Sequence, residues 1–304
     1  MSDPILPVAF AAAAVRVGTP LALAAIGEVV TEKSGVINLG IEGAMLAGAF
    51  GAAAGSLHGG LAVGVVAGVL AGVLVAMLFA IVAIGARADQ VISGTAVTLG
   101  VTGLTGLLAQ QVWGSAGAGL SLPTFSAVPV PVLEAVPLIG PAFFRQSPLT
   151  YACYLMIPAA GWLLFHTRLG LEIRATGESP MAAAAAGVAV ARTRTLATLF
   201  GGACAGLAGA SLVLAQVGTF TERMTAGRGF IAIAIVALGR WHPWGVAIAS
   251  LMFGGATALQ YIFQASGTLV PYQFFIALPY LLALAMLGVA VGRHRGPAAL
   301  GRPH

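Results

Sequence analysis

The chain has 304 residues, 59% of them hydrophobic and 8% charged, whereas soluble domains carry about 25% charged residues. A mean hydropathy of +0.98 leaves too little polar surface for a fold surrounded by water, so length is better read as a number of membrane crossings. The net charge of +5 and isoelectric point near 9.8 do not indicate nucleic acid, because the 14 basic residues are scattered between apolar segments and form no basic domain.

Taken in chain order, the first apolar segment covers residues 5–30 and is interrupted by Arg16. No Lys or Arg precedes it, so it does not read as a cleaved leader. The charged TEKSG at 31–35 follows, then segments at 36–57 and 60–85, and a fourth at 91–112 beyond Arg87 and Asp89. Pro123, Pro129, Pro131, Pro137, Pro141 and Pro148 exclude a regular helix over 113–148. That stretch is expected to be a folded external loop or short interfacial helices. A fifth segment covers 149–165, and a sixth covers 195–217 after the polar 166–194. The run 230–239 is too short to span comfortably and is a half-helix or re-entrant candidate. Segments 244–263 and 273–291 precede a basic tail, 292–304. Since a crossing takes about 20 apolar residues, the fold class is all-α: a single polytopic transmembrane helical bundle of about eight or nine spans.

Arg168, Arg174, Arg192 and Arg194, with the basic tail, place 166–194 and 292–304 in the cytoplasm. Counting back through single crossings puts TEKSG and Arg87 on the same side, and the 113–148 loop and the N-terminus outside. Gly68 with Gly72, Gly202 with Gly206, and Ala205 with Gly209 are four apart, the spacing at which small residues let helix backbones approach in lipid. Cys153 and Cys204 lie in apolar stretches with no metal-ligand spacing, which reads as buried packing.

No chemical engine is visible. The sole lysine, Lys33, follows Glu32 and not glycine, so there is no GxxxxGK[ST] phosphate loop, and HExxH and GxSxG are absent. Glu28 and Glu42 are joined by no motif, which leaves an intramembrane enzyme without support. Ser179 can cap a short helix that begins at Pro180, continues through Ala182 to Ala186 and ends at Gly187. Its small smooth surface is suited to another protein's groove, or it is a plain linker. Among polar residues at membrane depth, Asn38 and Glu42 are four apart and share a helix face. Glu42 must face a partner such as Arg16 or Lys33, water, or a pathway, since lipid would penalise it. Ser93, Thr95 and Thr98 either line a path or bond their own helix backbone. Gly227 and Gly229 either open a helix whose amides face the path or form a turn. The candidate path residues are thus Asn38, Glu42, Ser93, Thr95, Gly227 and Gly229. Trp241 and Trp244 read as interfacial anchors.

Four ordered motifs carry a resemblance. Gly177-Glu178-Ser179-Pro180-Met181-Ala182-Ala183, with Ala186-Gly187-Val188, resembles the coupling loop of ABC-importer permeases related to ribose and branched-chain amino acid permeases. Lys33-Ser34-Gly35-Val36-Ile37-Asn38-Leu39-Gly40-Ile41-Glu42-Gly43 is similar to that group's early motif, and Gln90-Val91-Ile92-Ser93-Gly94-Thr95 to its next. Met224 to Ala232, followed by Leu238-Gly239-Arg240-Trp241-His242-Pro243, is similar to a later one. The combination looks most like the nucleoside-type permeases. Ser179 stands where Asn is expected and Asp89-Gln90 where Asn-Glu is expected, departures that bear on the substrate and not on the family. The resemblance implies a plasma-membrane (bacterial inner-membrane) permease subunit for a small polar solute, a nucleoside or a sugar. It implies ATPase coupling through Gly177, Glu178, Ser179, Pro180, Ala182, Ala183 and Gly187. Its implied partners are cytosolic ATPase subunits that hold the ATP, a second permease (a related or identical chain) and an extracytoplasmic solute-binding protein, with no cofactor on this chain. The alternative is a self-sufficient secondary transporter or channel in which Glu42 and Arg16 relay protons.

Overall fold

The structure, a computed structural model, describes residues 5–114, 120–134, 136–137, 139–265, 277, 281 and 296–302. Helix α1 (Ile5–Lys33) contains Pro20, which cannot donate to the carbonyl of Arg16. The Gln216 side-chain amide donates to that carbonyl instead, at 2.6 Å, so the gap in the helix ladder is filled from a neighbouring segment.

Helix α2 (Ile41–Ala80) folds back on itself. At Gly60 the backbone takes φ 77°, ψ −174°, a combination essentially confined to glycine. A Cβ on Gly51 would lie 2.9 Å from the Ala67 carbonyl oxygen, one on Gly55 3.0 Å from that of Val63, and one on Gly68 2.8 Å from that of Gly48. The paired numbers rise on one arm as they fall on the other, which defines an antiparallel hairpin of two helical arms, 41–59 and 61–80. The first arm is about 28 Å long at 1.5 Å per residue, close to the thickness of a hydrocarbon core. The second arm continues as a π-turn, Ile81–Gly85. These are the second and third apolar segments of the sequence, kept separate as expected.

Helix α3 (Gln90–Trp113) begins on Asp89, whose carboxylate accepts from Ile92 N. The following proline-rich stretch holds a two-residue antiparallel bridge, β1 (Val128–Pro129) with β2 (Arg145–Gln146), and a single-turn α4 (Ile139–Phe143). This is the folded loop with a short helix that the prolines predict. Ser147 caps α5 (Pro148–His166), and Thr167 caps α6 (Arg168–Glu178). Then come α7 (Pro180–Ala185), α8 (Val190–Leu212) with a π-turn at Val213–Val217, α9 (Arg228–Leu238) and α10 (Pro243–Ala265). Six helices among the described residues are long and apolar enough to cross a membrane, and the longest is the hairpin. The span expected at 273–291 lies outside the described residues apart from positions 277 and 281.

Small residues hold the centre together. A Cβ on Gly48 would approach Gly206 Cα to 2.5 Å, and one on Gly72 would approach it to 2.6 Å. Both arms of α2 therefore rest on α8 backbone to backbone. Gly27 of α1 is equally close to Cys204 of α8, and Gly18 lies against the Ser250 carbonyl of α10. In lipid, where apolar side chains gain nothing by leaving apolar surroundings, such close contact is the main source of helix association.

Candidate functional site

Two features stand out from this scaffold: a helix that starts inside the bundle, and a short helix that projects from one end.

The first is built by Glu42 and the 225–229 segment. Glu42 is the second residue of α2 and is buried. Its Oε1 accepts from Thr225 Oγ1 at 2.6 Å and from Gly227 N at 2.8 Å, and its Oε2 accepts from Gly229 N at 2.6 Å. Gly227 has φ +82°, the left-handed turn that aims these amides at one point. A Cβ on Gly229 would fall 2.6 Å from Glu42 Cα, so only glycine lets the two backbones meet. The carboxylate thus caps α9 from another helix and complements the positive end of its dipole. Gly43, next to Glu42, faces Thr98, eight residues into α3. The cradle therefore lies about 12 Å inside the bundle from the first residue of α3. Non-helical backbone at that depth is tolerated only when protein surrounds it. Around the preceding segment, the rings of Phe50, Trp113 and Phe220 pack with centroids 5.1–5.6 Å apart.

The structure answers several expectations about individual residues. Glu42 pairs with neither Arg16 nor Lys33 but with the 225–229 amides and hydroxyl. Asn38 does not share a helix face with it, because α2 begins only at Ile41. Asn38 sits in the preceding turn, where its backbone N donates to Glu28 Oε1 at 3.0 Å and its carbonyl accepts from Ile41 N. Ser93 is buried, while Thr95 is exposed and bonds the Val91 carbonyl of its own helix. Thr98 reaches across to the Leu39 carbonyl at 3.0 Å. Gly227 and Gly229 do open a helix, and their amides are taken by Glu42. The short run 230–239 is confirmed as the half-length helix α9, whose far end is anchored where Trp241 Nε1 donates to Glu32 Oε2. Trp241 is thus tied to a carboxylate inside the protein in addition to any interfacial contact. Neither Thr225 nor Trp241 stood out in the sequence as a partner for a specific carboxylate.

The second feature is α7. Ser179 Oγ accepts from Ala182 N, Pro180 holds the first helical position, and Gly187 closes the turn with φ +88°, as the sequence predicts. Pro180 and Ala183 face inward, with Ala183 4% exposed, whereas Met181 is 81% exposed. Glu178, Ser179, Ala182, Ala184 and Ala185 are exposed as well, and Gly177 is buried. Arg87, Pro180, Met181 and Arg194 line a cavity of about 310 Å³ beneath this helix. Ser34, Gly35, Gly177, Arg194 and residues 299–302 meet by hydrogen bonds at the same end of the bundle. TEKSG, Arg87, the 166–194 segment and the tail therefore lie together, as counting crossings predicts.

The larger cavity, about 560 Å³ between α1, α4 and α10, is lined by apolar residues such as Phe10, Phe143 and Met252 and offers a polar solute nothing to bond. Among the described residues no group of His, Cys, Asp and Glu could hold a metal.

Comparison with known proteins adds a direct line of evidence. Residues 10–291 match the family described as branched-chain amino acid transport system, permease component. TsgC13 of Haloferax volcanii, provisionally named a glucose ABC transporter permease, is 36% identical over 92% of this chain and 91% of its own length. The guanosine ABC transporter permease NupQ of Bacillus subtilis is 33% identical over 94% of this chain and 92% of its own. The nucleoside ABC transporter permease NupC of Lactococcus lactis is 33% identical over 93% and 92%. No solved structure matches the chain.

Proposed function

The chain belongs to the permease-component family of branched-chain amino acid transport systems, and from this membership and its geometry we propose that it carries an uncharged polar solute, a nucleoside or a sugar, through a path shared with a second permease. It is the multi-pass, membrane-embedded subunit of an ABC importer in the plasma membrane, and not an enzyme: ATP hydrolysis belongs to a separate ATPase subunit.

The observation that carries the solute class is the Glu42 cradle. A helix N-terminus inside a transporter is where an anionic substrate group would normally bind. Here both carboxylate oxygens of Glu42 already occupy those amides. An added substrate carboxylate or phosphate would meet a negative charge instead of free donors. This argues against a cargo whose anionic group would be held at these amides. Relatives named for guanosine, nucleosides and glucose support an uncharged cargo. Asn38, Glu42, Ser93, Thr95, Gly227 and Gly229 belong to the walls of the path in this reading, with Glu42, Gly227 and Gly229 acting as its rigid frame.

The α7 end faces the cytoplasm, and the 113–148 loop and the N-terminus face outward. Residues 1–304 form one permease domain of eight or nine passes, made up of the seven arms described, α9 as a half-length pass and the 273–291 segment. The ATPase grips α7 on its exposed face, from Glu178 and Ser179 through Met181, Ala182 and Ala185, while Gly177, Pro180, Ala183 and Gly187 shape the helix. ATP binds to the ATPase and not to this chain. The partner permease is a related chain, and an external solute-binding protein delivers the cargo. The test is competition in reconstituted vesicles. Uridine, guanosine and glucose should be screened against leucine and a nucleotide for ATP-dependent uptake, and uptake of a charged compound in preference to all three neutral ones would refute the assignment.

A further inference from the structure

We infer that residues 296–302 and Arg194 are positioning elements for coupling: they lock the base of α7 to the turn before α2, so that movement of α7 is passed on to the α9 cradle. This rests on the reading of α7 as the ATPase contact.

Helix α7 has a fixed point on either side. On one side Gly177, the penultimate residue of α6, is pressed so closely on the turn at 33–35 that a Cβ there would overlap the Lys33 carbonyl oxygen and lie 3.3 Å from Gly35 N. On the other side is Arg194, in the second turn of α8 and only 3% exposed. Its Nε donates to the Ser34 carbonyl at 3.1 Å and its Nη1 to the Arg302 carbonyl at 3.3 Å. The tail closes the frame: Ala299 N donates to the Gly177 carbonyl at 2.9 Å, and Gly301 N to the Gly35 carbonyl at 3.1 Å. Ala299 is 4% exposed, and Gly296 lies against the Trp241 ring. A terminal segment without such contacts would fray. This one is bonded to the α6 terminus, to the 34–35 turn and to Arg194, and it touches the residue that anchors α9.

The consequence is mechanical. A push on α7 has no slack on either side to absorb it, because both fixed points seat on the same turn and the same tail. That turn leads through Asn38, held by Glu28, to Glu42, which holds the start of α9. Trp241, beyond the end of α9, is bonded to Glu32. Both ends of the half-length helix are therefore tied to the segment that the tail clamps, which makes a contiguous bonded network between α7 and α9.

The experiment compares the full complex, with its ATPase, partner permease and solute-binding protein, carrying the parent chain, a chain ending at Arg295, Arg194→Met or Arg194→Lys. Each is reconstituted in vesicles and scored for ATPase co-purification, ATP hydrolysis and solute taken up per ATP hydrolysed. The expected result is retained co-purification and hydrolysis with at least about a fivefold fall in uptake per ATP for the truncation and for Arg194→Met. Arg194→Lys should recover part of the loss, since it can reach one carbonyl but not two. Truncation and Arg194→Met combined should be less than additive, because both remove the Arg194–Arg302 contact. An unchanged uptake-to-ATP ratio in the assembled variants overturns the inference. Loss of assembly in all of them also overturns it, because the segment would then hold the fold and not transmit movement. Met181→Asp separates this from the underlying reading: full ATPase binding and uptake in that variant would refute the role of α7 whatever the tail does.

Discussion

Replacing Glu42 by Gln tests whether α9 is held by a charge inside the bundle. The parent carboxylate receives three hydrogen bonds from Thr225 Oγ1, Gly227 N and Gly229 N, at 2.6, 2.8 and 2.6 Å. An amide has one acceptor. With its oxygen toward Thr225 and Gly227, its NH2 faces Gly229 N, donor against donor. One charge-assisted bond is then lost, worth about 1.5 kcal/mol at the low end of its range, and the other two weaken by about 0.5 kcal/mol each, since interhelical bonds in membranes average about 0.6 kcal/mol. The expected loss is about 2–3 kcal/mol, an unfolding midpoint lower by about 3–5 °C in detergent for a chain of this length. Thr225→Val, which removes one donor and keeps the charge, should cost about 1 kcal/mol. Glu42→Gln should also lower solute uptake more than ATPase binding, because α7 is untouched. A Glu42→Gln chain as stable as its parent, with undiminished uptake, would refute the cradle as the anchor of α9.

Other consequences follow from single positions. Gly60→Ala places a Cβ in open space, so its cost is purely the backbone conformation, about 1–3 kcal/mol; thermal unfolding that shows no change would contradict the hairpin. Gly206→Leu forces side-chain atoms between helices whose backbones touch, and should abolish a monodisperse peak on size-exclusion chromatography; normal elution would argue against the α2–α8 packing. Gly229→Ala meets Glu42 Cα at 2.6 Å and should cost about 1–3 kcal/mol or more as overpacking, read by the same unfolding assay. Met181→Asp, on the exposed face of α7, should lose ATPase co-purification while the chain remains folded. Ala183→Asp is the poorer probe, because Ala183 is 4% exposed and a carboxylate there would damage the fold itself.

Local chemistry was legible in the sequence. Ser179, Pro180 and Gly187 mark α7 because caps and turns are decided within a few residues, and the Gly68, Gly72, Gly202 and Gly206 spacing marks the helix contacts because small residues four apart let two backbones approach closely in lipid. The half-length of α9 followed from a short apolar run between polar ones. The partners did not follow. Glu42 and Gly227 are 185 positions apart, and nothing local in either names the other. The shared helix face expected for Asn38 and Glu42 failed because Glu28 draws the Asn38 amide back toward α1, and Gly35, at φ +90°, turns the chain so that α2 starts late. The bonding of the tail was equally hidden, since it uses backbone groups and so leaves no side-chain signature.

ATP-dependent uptake separates an ABC permease from a self-sufficient transporter. Vesicles are made with this chain alone, with this chain and its partner permease, and with both plus the ATPase, each with the solute-binding protein on the opposite face, and loaded with ATP on the ATPase side. Uptake of a labelled nucleoside or sugar is then measured. Uptake is expected only in the complete assembly and only with ATP. Uptake by this chain alone, driven by an ion gradient and indifferent to ATP, would contradict this.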